Sequence, residues 1–134
     1  MKPLYLAGPM TGIPQANFPL FDQAAAELRN AGFTIISPAE LDDPEERRRA
    51  LDGELPAQTW GDFLSRDVKL IADECDGIIF LPNWWESRGA RLEAFVALLS
   101  GKDLFAYYID GATGDPVRWI PAAVVRQILR EQMP

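Results

Sequence analysis

The sequence predicts an α/β fold in which helices cover both faces of a parallel sheet. Two observations support this prediction. Short apolar segments alternate with segments of helical periodicity along the 134 residues, an order typical of parallel sheets. The first and third apolar segments are followed by Gly8-Pro9 and by Pro82, which end strands. Parallel strands that end in this way place the turns that follow them at one edge of the sheet.

Four strands are predicted, at the apolar runs 3–8, 33–37, 77–82 and 103–108. For a short chain of this kind the usual strand order is 2-1-3-4, a flavodoxin-like, doubly wound sheet in three layers, α/β/α. The order reverses between strands 1 and 3, and ligands of open α/β sheets bind at such a switch point, outside the carboxyl ends of the strands. The sequence contains no internal repeat or linker, so we expect one domain spanning 1–134.

Four helices are predicted, at 17–32, 59–75, 90–99 and 121–132. One apolar face of the first helix is formed by Phe18, Phe21, Ala25 and Leu28. Thr59 and Asp62 have the spacing of a capping box at the start of the second helix. Ser87 is a candidate N-cap of the third helix, and Gly101 follows its end.

Two segments lie outside these elements. The segment 38–59 is polar and rich in charge, and we predict a surface excursion with one short helix after Pro44. Its charges indicate a solvated face rather than a binding site. The segment 110–116 is rich in Gly and Asp and is predicted to be a turn region.

Composition limits the partners. The net charge of −7 argues against a nucleic acid polymer and against an anionic membrane surface. The sequence has no run of 18 apolar residues and only a short apolar stretch near its N-terminus, so neither a transmembrane helix nor a signal peptide is predicted. Because the single Cys75 cannot form an internal disulfide, a reducing, cytoplasmic location is expected.

The absence of histidine limits the chemistry. Without histidine and with one cysteine, Ser-His-Asp and Cys-His catalysis are excluded and a metal site is not expected. Neither a P-loop nor a dinucleotide-binding glycine motif occurs, so no cofactor is predicted. Catalysis would have to use carboxylates, hydroxyls, backbone amides and arginines.

Two carboxylates stand among apolar neighbours on the predicted helices. No residue one turn away from Glu93 can pair with its charge, and all four residues one turn away from Asp67 are apolar. Asp22 has similar neighbours, but its place in the first turn of its helix explains the charge through the helix dipole. Since a buried, unpaired carboxylate is costly, Glu93 and Asp67 are candidates for a function at the predicted pocket.

Two carboxylates that face one pocket suit cleavage of a glycosidic bond. One attacks the anomeric carbon or stabilises the oxocarbenium-like transition state, and the other handles the proton of the leaving group. The alternative is that both acids are structural and bind loop amides or an arginine such as Arg66 or Arg91.

Two long stretches of the chain resemble a known family. They are YLAGPMTGIPQANFPLFDQAAAELRNAGFTIISPAEL, residues 5–41, and RDVKLIADECDGIIFLPNWWESRGARLEAFVALLSGK, residues 66–102. They resemble the nucleoside 2-deoxyribosyltransferase-like proteins, and most closely a branch of short proteins, many from phages and prophages, that is defined by a domain of unknown function.

The resemblance implies a role for each candidate catalytic residue. The nucleophile closes an S-x-G-x-x-x-E motif, which here consists of Ser87, Gly89 and Glu93. Asp67 would assist departure of the base, and Tyr5 in strand 1 would orient the glutamate. The implied mechanism is a retaining double displacement through an ester of Glu93 with C1 of the sugar.

The resemblance also implies substrate contacts, from the loop after strand 1 and from the loop and helix start after strand 3. The candidates are Gly8, Pro9, Met10, Thr11, Gly12, Asn17, Trp84, Ser87, Arg88 and Gly89. Serine at position 87 favours a nucleoside 5′-monophosphate, with Arg88 replacing the basic residue that the loop after strand 1 lacks. Trp84 or Trp85 would stack on the base, with packing or a subunit contact as the alternative.

The function expected from the sequence is cleavage of the N-glycosidic bond of 2′-deoxynucleoside 5′-monophosphates or related nucleosides, by hydrolysis or base transfer. Two alternatives stay open: hydrolysis of another ribosyl N-glycoside such as a nicotinamide dinucleotide, and a non-catalytic module that binds nucleotides or signals. The helix 90–99 is apolar on nearly every side, more than one sheet face can bury, so we expect a homodimer.

Overall fold

The computed structural model describes residues 2–108 and 115–132. Its sheet has the order β2-β1-β3-β4-β5, which confirms the predicted flavodoxin-like order 2-1-3-4. The strands are β1 (Leu4–Ala7), β2 (Ile35–Ile36), β3 (Gly77–Phe80), β4 (Asp103–Tyr107) and β5 (Val117–Trp119). The first four are parallel, and β1 lies between β2 and β3, with Tyr5 opposite Ile36 on one side and Ile78 on the other.

The sequence did not predict β5. This strand pairs antiparallel with β4, and the Trp119 ring packs on Phe105 with centroids 4.4 Å apart. The strand has only three residues, and its tryptophan is exposed. It therefore lacks the alternation of apolar and polar residues by which a strand is predicted from sequence. Most of the turn predicted at 110–116 lies outside the described residues.

Six helices occur in the described part of the chain. They are α1 (Phe18–Asn30), α2 (Pro38–Leu41), α3 (Pro44–Asp52), α4 (Trp60–Glu74), α5 (Arg88–Leu99) and α6 (Ala122–Gln132). The predicted caps are confirmed: Thr59 and Asp62 form a capping box on α4, and Ser87 Oγ accepts the Ala90 amide of α5. Two 3-10 turns, Pro14–Asn17 and Trp84–Glu86, precede α1 and α5.

Side chains alternate between two core layers, as the pleat of a strand requires. Leu4 and Leu6 face the layer that contains α1, whereas Tyr5 and Ala7 face the layer that contains α4, α5 and α6. The sheet is therefore covered on both faces, and Tyr5 lies on the same side as α5. No helix among the described residues is long and apolar enough to span a membrane.

The segment 38–59 is more ordered than a surface excursion. It forms α2 and α3, and most of its charges are solvated, as in the ion pairs of Arg48 with Glu45. The prediction that these charges form a solvated face is wrong for two residues. Glu46 is 3% exposed, and Asp42 is paired with Arg66.

The helix-dipole explanation of Asp22 is also wrong. Asp22 lies beyond the first turn of α1, and its carboxylate binds Arg47 of α3 at 2.7 Å. The charge is therefore explained by an ion pair between helices that are separated in sequence, which local spacing does not reveal.

Candidate active site

A cavity of about 770 Å³ opens beside the carboxyl ends of β1 and β3, where the strand order reverses. It is lined by the loop after β1, by the first 3-10 turn, by α3 and the segment 53–58, and by the starts of α4 and α5. A cavity of this volume accommodates a ligand of nucleotide size. Tyr5, Asp67 and Glu93 all lie in its wall, so the structure brings the three predicted catalytic residues together.

Glu93 is held by Tyr5. The hydroxyl of Tyr5, which is fully buried, donates a hydrogen bond of 2.7 Å to Oε2 of Glu93, which is 7% exposed. The aromatic ring reaches Glu93 because β1 and α5 share one core layer. The contact is the one that the resemblance implied for these two residues.

The pKa of Glu93 is raised to about 8, mainly by burial and secondly by the nearby charge of Asp67. The hydrogen bond from Tyr5 and the charge of Arg66 act in the opposite direction. Among the described residues no cation forms an ion pair with Glu93. Burial without a cation therefore favours the protonated form of this carboxyl group near neutral pH.

Asp67 has a different environment. Arg66 Nε donates to Asp67 Oδ1 at 2.9 Å, and Arg66 Nη1 donates to Asp42 at 2.8 Å. Burial raises the pKa of Asp67, and its bond to Arg66 opposes that rise. The pKa of Tyr5 is raised by its burial and by the charges of Glu93 and Asp67.

These contacts separate the two acids. Asp67 is bound to a cation, as the structural alternative proposed, whereas Glu93 accepts a hydrogen bond from no described group except the neutral hydroxyl of Tyr5. Two close carboxyl groups in different environments divide the acid and base roles between them. The arrangement can therefore supply one proton and one carboxylate to a ligand in the cavity.

The site lies within a family match. The model of a family described as a domain of unknown function, DUF4406, matches residues 2–106. The chain belongs to the DUF4406 family. The match spans β1 through nearly all of β4 and therefore includes Tyr5, Asp67 and Glu93, whereas β5 and α6 lie outside it. No curated protein matches the chain.

Most of the predicted substrate contacts of this DUF4406 protein line the cavity. They are Gly8, Met10, Thr11, Gly12, Ser87, Arg88 and Gly89. The glycine at position 8 is required by packing, because a Cβ there would lie 2.8 Å from Cβ of Leu81. Gly12 has a φ of +82°, which L-residues rarely adopt.

Two predicted contacts support the loop instead of lining the cavity. Asn17 Nδ2 donates to the carbonyl oxygen of Pro9 at 2.9 Å, and neither residue belongs to the cavity wall. Asn17 also adopts a left-handed φ of 61° at the start of α1. In this DUF4406 structure Asn17 and Pro9 lie outside the cavity wall and fix the path of the loop, and direct contact of either with a substrate stays a prediction.

Trp84 also lies outside the cavity wall. It is 3% exposed, stacks on Phe80 with centroids 4.2 Å apart, and belongs to the core layer of α4, α5 and α6. Neither Trp84 nor Trp85 lines the cavity. Trp84 therefore packs in the core, as the packing alternative proposed, and its ring does not face the cavity.

The tryptophan at the cavity of this DUF4406 protein is Trp60. Its ring lies 4.0 Å from the guanidinium carbon of Arg88, a cation–π contact between the starts of α4 and α5. Helical spacing could have indicated it, because Trp60 is seven residues, or two turns, before Asp67 on the same face. Arg66 and Asp42 were not predicted as cavity residues, since their pairing joins α4 to the residue that follows α2, 24 positions earlier in the chain.

Proposed function

We propose that the protein cleaves the N-glycosidic bond of a 2′-deoxynucleoside 5′-monophosphate, or of a related nucleoside, as the resemblance to the nucleoside 2-deoxyribosyltransferase-like proteins implies. The observation that carries the proposal is the buried pair of Glu93 and Asp67, with Tyr5 on Glu93, in a cavity at the switch point of the sheet. Retaining glycosidases use a pair of carboxyl groups in this way, one as the nucleophile and the other as the acid and base.

The first chemical step requires Glu93 as a carboxylate. Its proton moves to Asp67, which leaves Glu93 ionised and Asp67 neutral. A Glu93 oxygen then bonds to C1′ while the bond from C1′ to the base nitrogen breaks, and that electron pair goes to the base. Asp67 donates its proton to the departing base.

The second step releases the sugar. Water, or the nitrogen of a second base, attacks C1′ of the ester and gives its proton to Asp67, and Glu93 leaves as a carboxylate. Water gives hydrolysis and a base gives transfer. Tyr5 orients the Glu93 carboxylate throughout, since its hydroxyl occupies one oxygen and leaves the other for the sugar.

The start of α5 supports a 5′-phosphate in the substrate. Ser87 caps this helix, Gly89 follows, and no acidic residue occupies the first turn. Helix N-termini leave amide donors unused and favour anions. Arg88 adds a cation at the cavity wall, held over Trp60.

A panel of substrates tests the proposed function. The protein is incubated with 2′-deoxynucleosides, their 5′-monophosphates and the corresponding ribosyl compounds, and free base is measured by chromatography. We expect base release from one or more 2′-deoxynucleoside 5′-monophosphates and slower release from the matching nucleosides. Release of base from a nicotinamide dinucleotide alone would favour the alternative that the protein hydrolyses another ribosyl N-glycoside. Tight binding without release of any base would favour the non-catalytic module.

We also propose that two subunits pack through α5. Leu92, Phe95 and Leu99 lie on one face of the helix and are 38%, 38% and 82% exposed. An apolar face of this kind is a common dimer interface. Light scattering at micromolar concentration should give the mass of a dimer, and Phe95→Glu should give a monomer. Leu41→Glu, at a site 37% exposed, is the control and should stay dimeric. A monomeric unmutated protein would contradict the proposal.

A further inference from the structure

Glu46 is a buried acid in the cavity wall that the proposed mechanism does not use. It is 3% exposed, lies on α3 and lines the same cavity as Glu93. The arginines at 47–49, which follow it in the chain, bind other acids and main-chain carbonyl groups, and none of them donates to Glu46. A carboxylate buried without a cation is costly.

Only one oxygen of Glu46 is used within the described chain. Oε1 accepts the backbone amides of Ala57 and Gln58 at 2.8 and 3.0 Å. No described residue forms a hydrogen bond with Oε2. The two amide bonds fix the carboxylate in one orientation, and they attach the segment 53–58 to α3 at the edge of the cavity.

The surroundings of Glu46 are suited to a flat ring. Phe18, Met10 and Ala50 line the same cavity and belong to or pack against one hydrophobic cluster. Ala50 lies one helical turn after Glu46 on α3. A carboxylate oxygen in an apolar wall forms a strong hydrogen bond with an N–H donor. An apolar surface beside one fixed acceptor is the chemistry that recognises an aromatic base with an amino group.

We infer that Glu46 is a specificity residue, whose free oxygen accepts a hydrogen bond from the exocyclic amine of a nucleobase. The inference rests on the proposed function for the identity of the ligand as a nucleotide. Cytosine presents such an amine at the position where uracil and thymine present a carbonyl oxygen, and adenine presents one where hypoxanthine presents a carbonyl oxygen. Glu46 repels a carbonyl oxygen at that position.

Binding of matched nucleotide pairs tests this inference. The first pair is the 2′-deoxynucleoside 5′-monophosphates of cytosine and uracil, and the second is those of adenine and hypoxanthine. Calorimetry is done in the Glu93→Gln background so that no ligand is consumed. We expect the member with the amine to bind about 10- to 100-fold more tightly in at least one pair, the usual value of a hydrogen bond to a charged group.

Glu46→Gln in the same background should abolish or reverse this preference. The amide oxygen of the new side chain can still accept from Ala57 and Gln58, and its NH₂ group replaces the free acceptor with a donor. Glu45→Gln is the control, because Glu45 is exposed and pairs with Arg48 and Arg49. Since the ratio of two Kd values on one preparation does not depend on the folded fraction, a partly unfolded variant remains informative.

Three results would overturn the inference: no preference in either pair, an unchanged preference in Glu46→Gln, or no binding of any of the four nucleotides. The proposed function is judged separately, by base release from the unmutated protein. Base release with an unchanged preference in Glu46→Gln would remove only the role of Glu46. A preference that depends on Glu46, without any base release, would remove only the catalytic proposal.

Discussion

Glu93→Gln is expected to lower base release by several orders of magnitude. Glutamine keeps the size of the side chain and an oxygen that accepts from Tyr5, but it cannot form the ester with C1′. The loss should appear in kcat and in kcat/KM alike, because the interaction with C1′ is made only in the transition state. The measurement is single-turnover release of base from the best substrate of the panel.

The control for this variant is Glu86→Gln. Glu86 lies in the 3-10 turn before α5, is exposed and does not line the cavity, so its neutralisation should leave base release unchanged. Full activity of Glu93→Gln would show that the carboxylate is structural, which is the alternative that the sequence left open.

The same variant should be more stable than the unmutated protein at high pH. The pKa of Glu93 is about 8 in the folded chain, against an ordinary 4.5. As pH rises above 4.5, the unfolded chain loses this proton and the folded chain keeps it. The unmutated protein therefore loses up to about 1.4 kcal/mol of unfolding free energy per pH unit.

Denaturant unfolding at several pH values measures this effect. The unfolding free energy of Glu93→Gln minus that of the unmutated protein should increase from about pH 4.5 to pH 8. This difference should be constant below and above that window, where Glu93 carries the same charge in the folded and the unfolded chain. A difference that does not change with pH would mean that burial has not shifted the pKa of Glu93.

The parts of the site that the sequence predicted depend on short-range or periodic signals. The strand order, the cap at Ser87 and the capping box of Thr59 follow from the order of elements and from spacing within one turn. The juxtaposition of Tyr5 and Glu93, which are 88 residues apart, came from the resemblance. Strand alternation and helix periodicity agree with it, because both residues face the same core layer.

The parts that the sequence did not predict depend on contacts that local spacing does not encode. Two adjacent tryptophans in a loop do not reveal which of them faces the core, and the stack of Trp84 on Phe80 decides it. Glu46 sits in a run of charges, and its partners are backbone amides 11 and 12 residues further on. No side-chain pattern identifies such a carboxylate before the fold is known.

Asp67→Asn is expected to lower base release by about 10²- to 10⁴-fold, the usual range for a positioned acid–base group. The fold should persist, since the amide oxygen of asparagine can still accept from Arg66 Nε and Arg66 keeps its bond to Asp42. Asp73→Asn is the matched control on the same helix, because Asp73 is exposed and pairs only with Lys69 among the charged groups described.

Two readouts separate proton donation by Asp67 from a structural role. A nitrophenyl 2-deoxyriboside 5-phosphate releases a leaving group that needs no proton, so Asp67→Asn should slow its cleavage far less than that of the nucleotide. Loss of the Asp67 charge should also lower the pKa of Glu93, which that charge raises. In the unmutated protein the first step uses the single proton of the pair, so kcat/KM should fall as pH rises through the pKa of Glu93, about 8. In Asp67→Asn the nucleophile must already be ionised, so kcat/KM should instead rise as Glu93 loses its proton. Equal losses for both substrates, with an unchanged pH profile, would assign Asp67 to the ion pair with Arg66 and leave Glu93 as the only group of the pair that acts on the sugar.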